Sequence, residues 1–135
     1  MKNYKLIADN FKLEIELKTY EEDLEIPTNS ILNVRIDSDN FTALTTMDID
    51  INSFKTFASE LLNIYHSLDG SVILKENYGD NYIEFNANHC GHIFVKGVIN
   101  NLCRNGHTQE LKFENEFDQT YLKEFVEKIS NINDN

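Results

Sequence analysis

The stretch Phe11-Lys12-Leu13-Glu14-Ile15-Glu16-Leu17 puts Phe11, Leu13, Ile15 and Leu17 on one side of an extended chain and Lys12, Glu14 and Glu16 on the other, because successive side chains of a strand point to opposite faces. One face is buried and the other is wet. Such clean alternation belongs to an antiparallel sheet covered on one side only, since strands buried on both faces read as continuous apolar runs. Downstream of the acidic segment from Tyr20 to Pro27, Leu32, Val34 and Ile36 alternate through a second strand. Asp37-Ser38-Asp39-Asn40 then supplies turn formers leading into a third run, Phe41 to Ile49, as in a hairpin.

The period changes after Ile49. Ile51, Phe54, Phe57, Ala58, Leu61, Ile64, Tyr65 and Leu68 share one side of a 3.6-residue helix, with Asp50 or Asn52 available as N-cap and Gly70 as the left-handed stop. Ser71 to Lys75, Tyr82 to Asn86, His92 to Ile99 and Gln109 to Phe117 are short and strand-like, with turns at Asn77 to Asn81 and at Asn105-Gly106. The last element is again helical, capped by Asp118, with Tyr121, Leu122, Phe125, Ile129 and Ile132 on one face. Phe117 and Leu122 are placed as a hydrophobic staple across that cap. The expected fold is therefore α+β: a mostly antiparallel meander of about eight strands, in two sheets or one curled sheet, with one central and one C-terminal amphipathic helix. Residues 1–135 read as a single domain, with 133–135 as a frayed tail.

Composition bounds the function. A chain of 135 residues, 41% hydrophobic and 26% charged, can bury a core without staples. Twenty-three acidic against 12 basic side chains give a formal net charge of −11 and a pI near 4.6. That field repels phosphate backbones and anionic headgroups, and only Arg35 and Arg104 carry a guanidinium fork, so neither nucleic acid nor membrane is the expected partner. It favours encounter with a basic protein instead. No run approaches the roughly 18 apolar residues of a membrane span, and no apolar signal region follows Met1-Lys2-Asn3-Tyr4. Two cysteines, Cys90 and Cys103, form no disulfide framework. The expected location is cytoplasmic.

His89, Cys90, His92, Cys103 and His107 are five zinc-ligand types close in sequence. If residues 92–99 pair with 107–114 around a turn centred on Cys103, however, His92 and His107 stand at opposite ends of the ladder, roughly 23 Å apart. A half-site of His89, Cys90 and His92 completed from elsewhere is the weaker alternative, as a metal-binding module or enzyme. The chain has no Gly-rich phosphate loop, no paired CxxC and no nucleophile elbow. The pairs Glu14/Glu16 and Glu114/Glu116 fall on the wet faces of strands and are expected to be fully solvated, unlike a general acid with a raised pKa. The expectation is a protein without enzymatic activity and without cofactors. Acidic residues border elements at Glu21, Glu22, Asp23 and Glu25, and at Asp37 and Asp39, and form the candidate rim for Lys and Arg of a partner.

Gly91-His92-Ile93-Phe94-Val95-Lys96-Gly97, followed by Leu111-Lys112-Phe113-Glu114-Asn115-Glu116-Phe117-Asp118-Gln119-Thr120-Tyr121-Leu122, is similar to the closing strands and final helix of WapI-family immunity proteins. Asn33-Val34-Arg35-Ile36, Asp50-Ile51-Asn52-Ser53-Phe54 and Leu68-Asp69-Gly70-Ser71-Val72 fit the same order, extending the resemblance from about Phe11 to Ile132. It implies a cytoplasmic bacterial antidote that binds and blocks a cognate toxin, commonly a nuclease, of a contact-dependent growth inhibition system. Gly91, Gly97, Asp118, Gln119 and Thr120 are the motif residues, read as structural. A housekeeping protein-binding domain of the same fold is the other alternative.

Overall fold

The computed structural model describes residues 2–20, 30–102 and 104–132. Among them, eight antiparallel strands form two meanders, each in chain order. The first sheet holds β1 (Lys2–Ile7), β2 (Phe11–Thr19), β3 (Ser30–Ser38) and β4 (Phe41–Ile49). The second holds β5 (Gly70–Lys75), β6 (Tyr82–Ala87), β7 (His92–Leu102) and β8 (Thr108–Asp118). Helix α1 (Ile51–Ser67) joins them, and a 3-10 turn (Gln119–Leu122) leads into α2 (Lys123–Ser130). This is the α+β arrangement that the two hydrophobic periods imply. Residues 133–135, where fraying was expected, lie outside the described residues.

Alternation along β2 becomes burial directly: Phe11, Leu13, Ile15 and Leu17 are all buried. Opposite them on β3 stand Ile36, Val34 and Leu32 in register with Leu13, Ile15 and Leu17. The strand that no long apolar run announces is β1. Its face holds only Tyr4 and Leu6, both buried, and pairing of Lys2 through Ile7 with Leu17 through Lys12 supplies backbone hydrogen bonds along the one edge it shares with β2.

The inner faces of the two sheets meet through aromatic rings. Phe11 stacks on Phe113 at 5.8 Å and on Phe117 at 6.2 Å between centroids. On the other side α1 wedges in, with Phe54 6.2 Å from Tyr4 and Phe57 6.0 Å from Phe85. Helix α2 packs on α1 and β1, burying Phe125, Val126 and Ile129, so one continuous apolar cluster links both sheets and both helices.

Asp50 is the α1 N-cap, its carboxylate accepting the Asn52 N–H at 2.7 Å. Each large side chain that α1 buries (Phe54, Phe57, Leu61, Ile64) contributes roughly 2 kcal/mol, against about 1 kcal/mol for the cap, so packing rather than capping holds the helix.

Three local expectations are corrected. Leu68, not Gly70, takes the left-handed cap at φ 56, its N–H donating to the Ile64 carbonyl at 2.8 Å, while Gly70 opens β5. Tyr121 falls in the 3-10 turn, whose three residues per turn take it off the stripe formed by Phe125 and Ile129. Its hydroxyl donates to Asp9 at 2.9 Å instead, and Val126 completes the buried face. The β7–β8 ladder runs from His92↔Asp118 to Leu102↔Thr108, so the reversal is centred on Asn105-Gly106 rather than Cys103. Within the five-residue connection between Leu102 and Thr108, Asn105 at φ 64 and Gly106 at φ 78 both take the left-handed conformation that Asn and Gly tolerate best.

Candidate functional site

The corrected register moves His92 and His107 further apart. Ten strand residues, roughly 33 Å, now separate His92 from Leu102 at the hairpin end beside His107. His92 Nδ1 lies 2.7 Å from a Glu116 carboxylate oxygen on β8, whereas His89 Nε2 sits 3.7 Å from Asp69. The two histidines thus face different partners, and Cys90 is exposed. Among the described residues no three His, Cys, Asp or Glu side chains are placed to hold a metal ion. Cys103 lies outside the described residues.

The turn before β7 and the end of β8 are tied together by the motif residues. Gly91 adopts φ 81, and its carbonyl accepts the Gln119 N–H at 2.9 Å. Asp118 accepts the Thr120 N–H at 2.9 Å, and this bond holds its carboxyl below the ordinary range. Gly97 serves packing. A Cβ there would overlap the Tyr82 carbonyl and come within 2.9 Å of the Phe113 ring, the ring that stacks on Phe11.

Of the acidic rim residues, Glu21, Glu22, Asp23 and Glu25 lie outside the described residues. Asp37 and Asp39 sit at the β3–β4 turn. The Thr42 hydroxyl, 2.6 Å away, holds the Asp37 carboxyl below its ordinary range, helped by Arg35 Nε at 3.3 Å. Asp39 is the left-handed turn residue at φ 51. Thr19 and Ser30, which bracket the 21–29 segment, pair at the other end of the sheet, and β3 carries its eight steps, roughly 26 Å, between the two ends.

Two surface concavities are large enough to receive a partner. A groove of about 630 Å³ crosses the outer face of the first sheet, lined by Glu14, Glu16, Asn33, Arg35, Leu44, Thr46 and, from the second sheet, Asn81, Asn100 and Asn101. Glu14 and Glu16, expected to be fully solvated, are half-buried here because neighbouring strands cover them. Lys5 Nζ lies 3.8 Å from Glu14, and the Asn33 amide donates to Glu16 at 3.3 Å.

The groove floor is closed by a buried Asn81. Its Oδ1 accepts the Asn100 N–H at 2.6 Å, its Nδ2 donates to Thr45 at 3.2 Å, and its own N–H donates to Glu76 at 3.1 Å. Desolvation raises the Glu76 pKa, with the Asn81 hydrogen bonds opposing and Asp48 and Asp80 adding to the rise.

The second concavity, a shallow depression of about 560 Å³, lies on the outer face of the second sheet. Phe94, Lys96 and Asn86 line it with Glu114 and Glu116. Glu114 and Glu116 are exposed, as the alternation implies. Sequence reasoning did not single out Phe94 as a surface residue. The signal was present in Ile93-Phe94-Val95, three consecutive apolar residues of which a strand with one wet face can bury only the first and third.

Neither concavity is enclosed, and both lie on the flat faces of antiparallel sheets, which defines an α+β protein whose accessible chemistry is spread over surfaces. The chain belongs to the immunity protein WapI-like family, whose family model matches residues 5–134. No curated protein and no solved structure matches it.

Proposed function

We propose that the protein is a cytoplasmic immunity protein that binds the toxin domain of a contact-dependent inhibition system and covers its substrate groove. The toxin is a basic nuclease, and the immunity protein itself transforms no substrate. Membership of the WapI-like immunity family over residues 5–134 is the observation that carries this reading. The net charge of −11 supports a cationic partner, because a surface built to hold RNA or DNA is rich in Lys and Arg. Glu21, Glu22, Asp23 and Glu25 form the acidic element that steers encounter, with Asp37 and Asp39 a separate acidic turn. Charge sets the rate of encounter, while desolvated anchors set the residence time.

The test uses the toxin domain encoded beside this gene. Reversal of Glu21, Glu22 and Asp23 to lysine lowers its association rate with the immunity protein about tenfold at low ionic strength and flattens the salt dependence of that rate, measured by stopped-flow fluorescence. A wild-type protein that neither binds nor neutralises the toxin domain overturns the reading.

A further inference from the structure

We propose that the toxin docks on the outer face of the second sheet, where Phe94 is the central anchor and an arginine side chain of the toxin lies between the Phe94 ring and the Glu114 carboxylate. This rests on the immunity reading and names its surface.

Phe94 is the third residue of β7, an inner strand of the second sheet, with 39% of its surface exposed. It faces away from the core that its neighbours Ile93 and Val95 fill. The ring is partly covered by the strands beside it, but its open part faces water in a concave sheet face. Covering it is the kind of burial that dominates interface energetics. On the first sheet the exposed apolar residues of the outer face, Ile7 and Leu44, stand on the two edge strands. Between them the inner strands β2 and β3 present charged and polar side chains and the half-buried Ile31, with no exposed aromatic ring among the described residues.

The carboxylates around Phe94 are unequal. Glu116, directly opposite Phe94 in the ladder, is engaged by His92 at 2.7 Å. Glu84 accepts from the Asn86 amide at 2.7 Å and pairs with Lys96 at 3.7 Å. Glu114, opposite Lys96 and diagonal to Phe94, is exposed and has no hydrogen-bond or ion-pair partner among the described residues.

Diagonal neighbours on paired antiparallel strands stand about 7–8 Å apart, and a guanidinium stacked within about 6 Å of a ring centroid reaches a carboxylate at that spacing. The planar fork of arginine can stack and hydrogen-bond at once, which a lysine ammonium cannot. A second copy of this chain is a poor occupant. It brings the same acidic face and a further −11 charges, which repel.

Titration calorimetry against the toxin domain encoded beside this gene tests the surface, with Leu44→Ala on the first sheet as the control. Phe94→Ala is expected to raise Kd about 30-fold and Glu114→Gln about tenfold, with both variants folded as wild type by circular dichroism at the assay temperature and the Leu44→Ala Kd at the wild-type value. If wild-type binds and neutralises but Phe94→Ala and Glu114→Gln bind equally well, the docking surface is overturned and the immunity reading stands. If wild-type neither binds nor neutralises, both fall. A wild-type dimer in sedimentation that Phe94→Ala dissociates would assign the face to a second copy and overturn the proposal.

Discussion

On the outer face of the first sheet most polar side chains answer one another, with Asp48 an exposed carboxylate that has no side-chain partner among the described residues. Lys5 faces Glu14, Asn33 donates to Glu16 and accepts from Thr46 at 3.1 Å, and Arg35 and Thr42 hold Asp37. The outer face of the second sheet is answered only in part, with Glu84 and Glu116 engaged, Glu114 left over, and an exposed phenylalanine among them. The two meanders have the same strand order and share one core. What differs is the side facing water. An antiparallel sheet with one covered face is free to vary the other, because exposed substitutions there cost little stability. Both faces keep an unpaired carboxylate, and what sets the second apart is an exposed aromatic ring beside it.

The largest expected effect falls where the two sheets touch. The second sheet makes room for Phe113 with Gly97, a device the first does not use, since none of the five glycines lies in β1 to β4. Gly97→Ala drives a methyl against the Tyr82 carbonyl and the Phe113 ring and pushes the second sheet off Phe11. A loss of about 3 kcal/mol, measured by chemical denaturation, is expected. A wild-type midpoint would mean that the sheets do not depend on that contact.

Next comes the buried polar link between the sheets. The Ser38 hydroxyl donates to Asn115 Oδ1 at 2.8 Å, and the Asn115 amide donates to the Asn10 carbonyl at 3.4 Å. Removing the amide in Asn115→Ala strands both partners and lowers stability by about 2 kcal/mol. Sensitivity below about 0.5 kcal/mol would show the two faces to be joined by apolar packing alone.

The smallest effect is at Glu76, on the turn that reaches across to the first sheet through Asn81. Its folded pKa is raised above the ordinary 4.5 by desolvation, so folding takes up protons there. Stability is fully present below the unfolded pKa and falls as pH rises through the folded pKa. Glu76→Gln keeps an acceptor for the Asn81 N–H and removes that fall. Its melting curve should match wild type near pH 4 and exceed it at pH 7 by under about 0.5 kcal/mol, because the carboxylate is partly solvent-screened. A variant less stable than wild type at pH 7 contradicts the assignment.

Much of this molecule was legible before any coordinates. The alternation of Phe11 to Leu17, the helical stripe from Ile51 to Leu68 and the Asn105-Gly106 turn are local signals, each set by the geometry of a few bonds, and each became the element it announced. The weaker signals were the ones that depend on neighbours. Tyr4 and Leu6 make a strand because β2 offers them hydrogen bonds. Tyr121 leaves the helix stripe because a 3-10 turn precedes α2.

The surfaces follow the same division. That the protein is acidic, and that Asp118 caps the last helical segment, is a matter of residue type and spacing. Which carboxylates are answered is not, because Glu14 meets Lys5 and Glu116 meets His92 across strands whose register no single segment encodes. By itself the amino-acid order determined the two periods, and with them strands, helix, strands, helix. The tertiary structure alone decided that Phe94 faces water beside an unpaired Glu114, since burial and charge pairing belong to side chains brought together from separate strands.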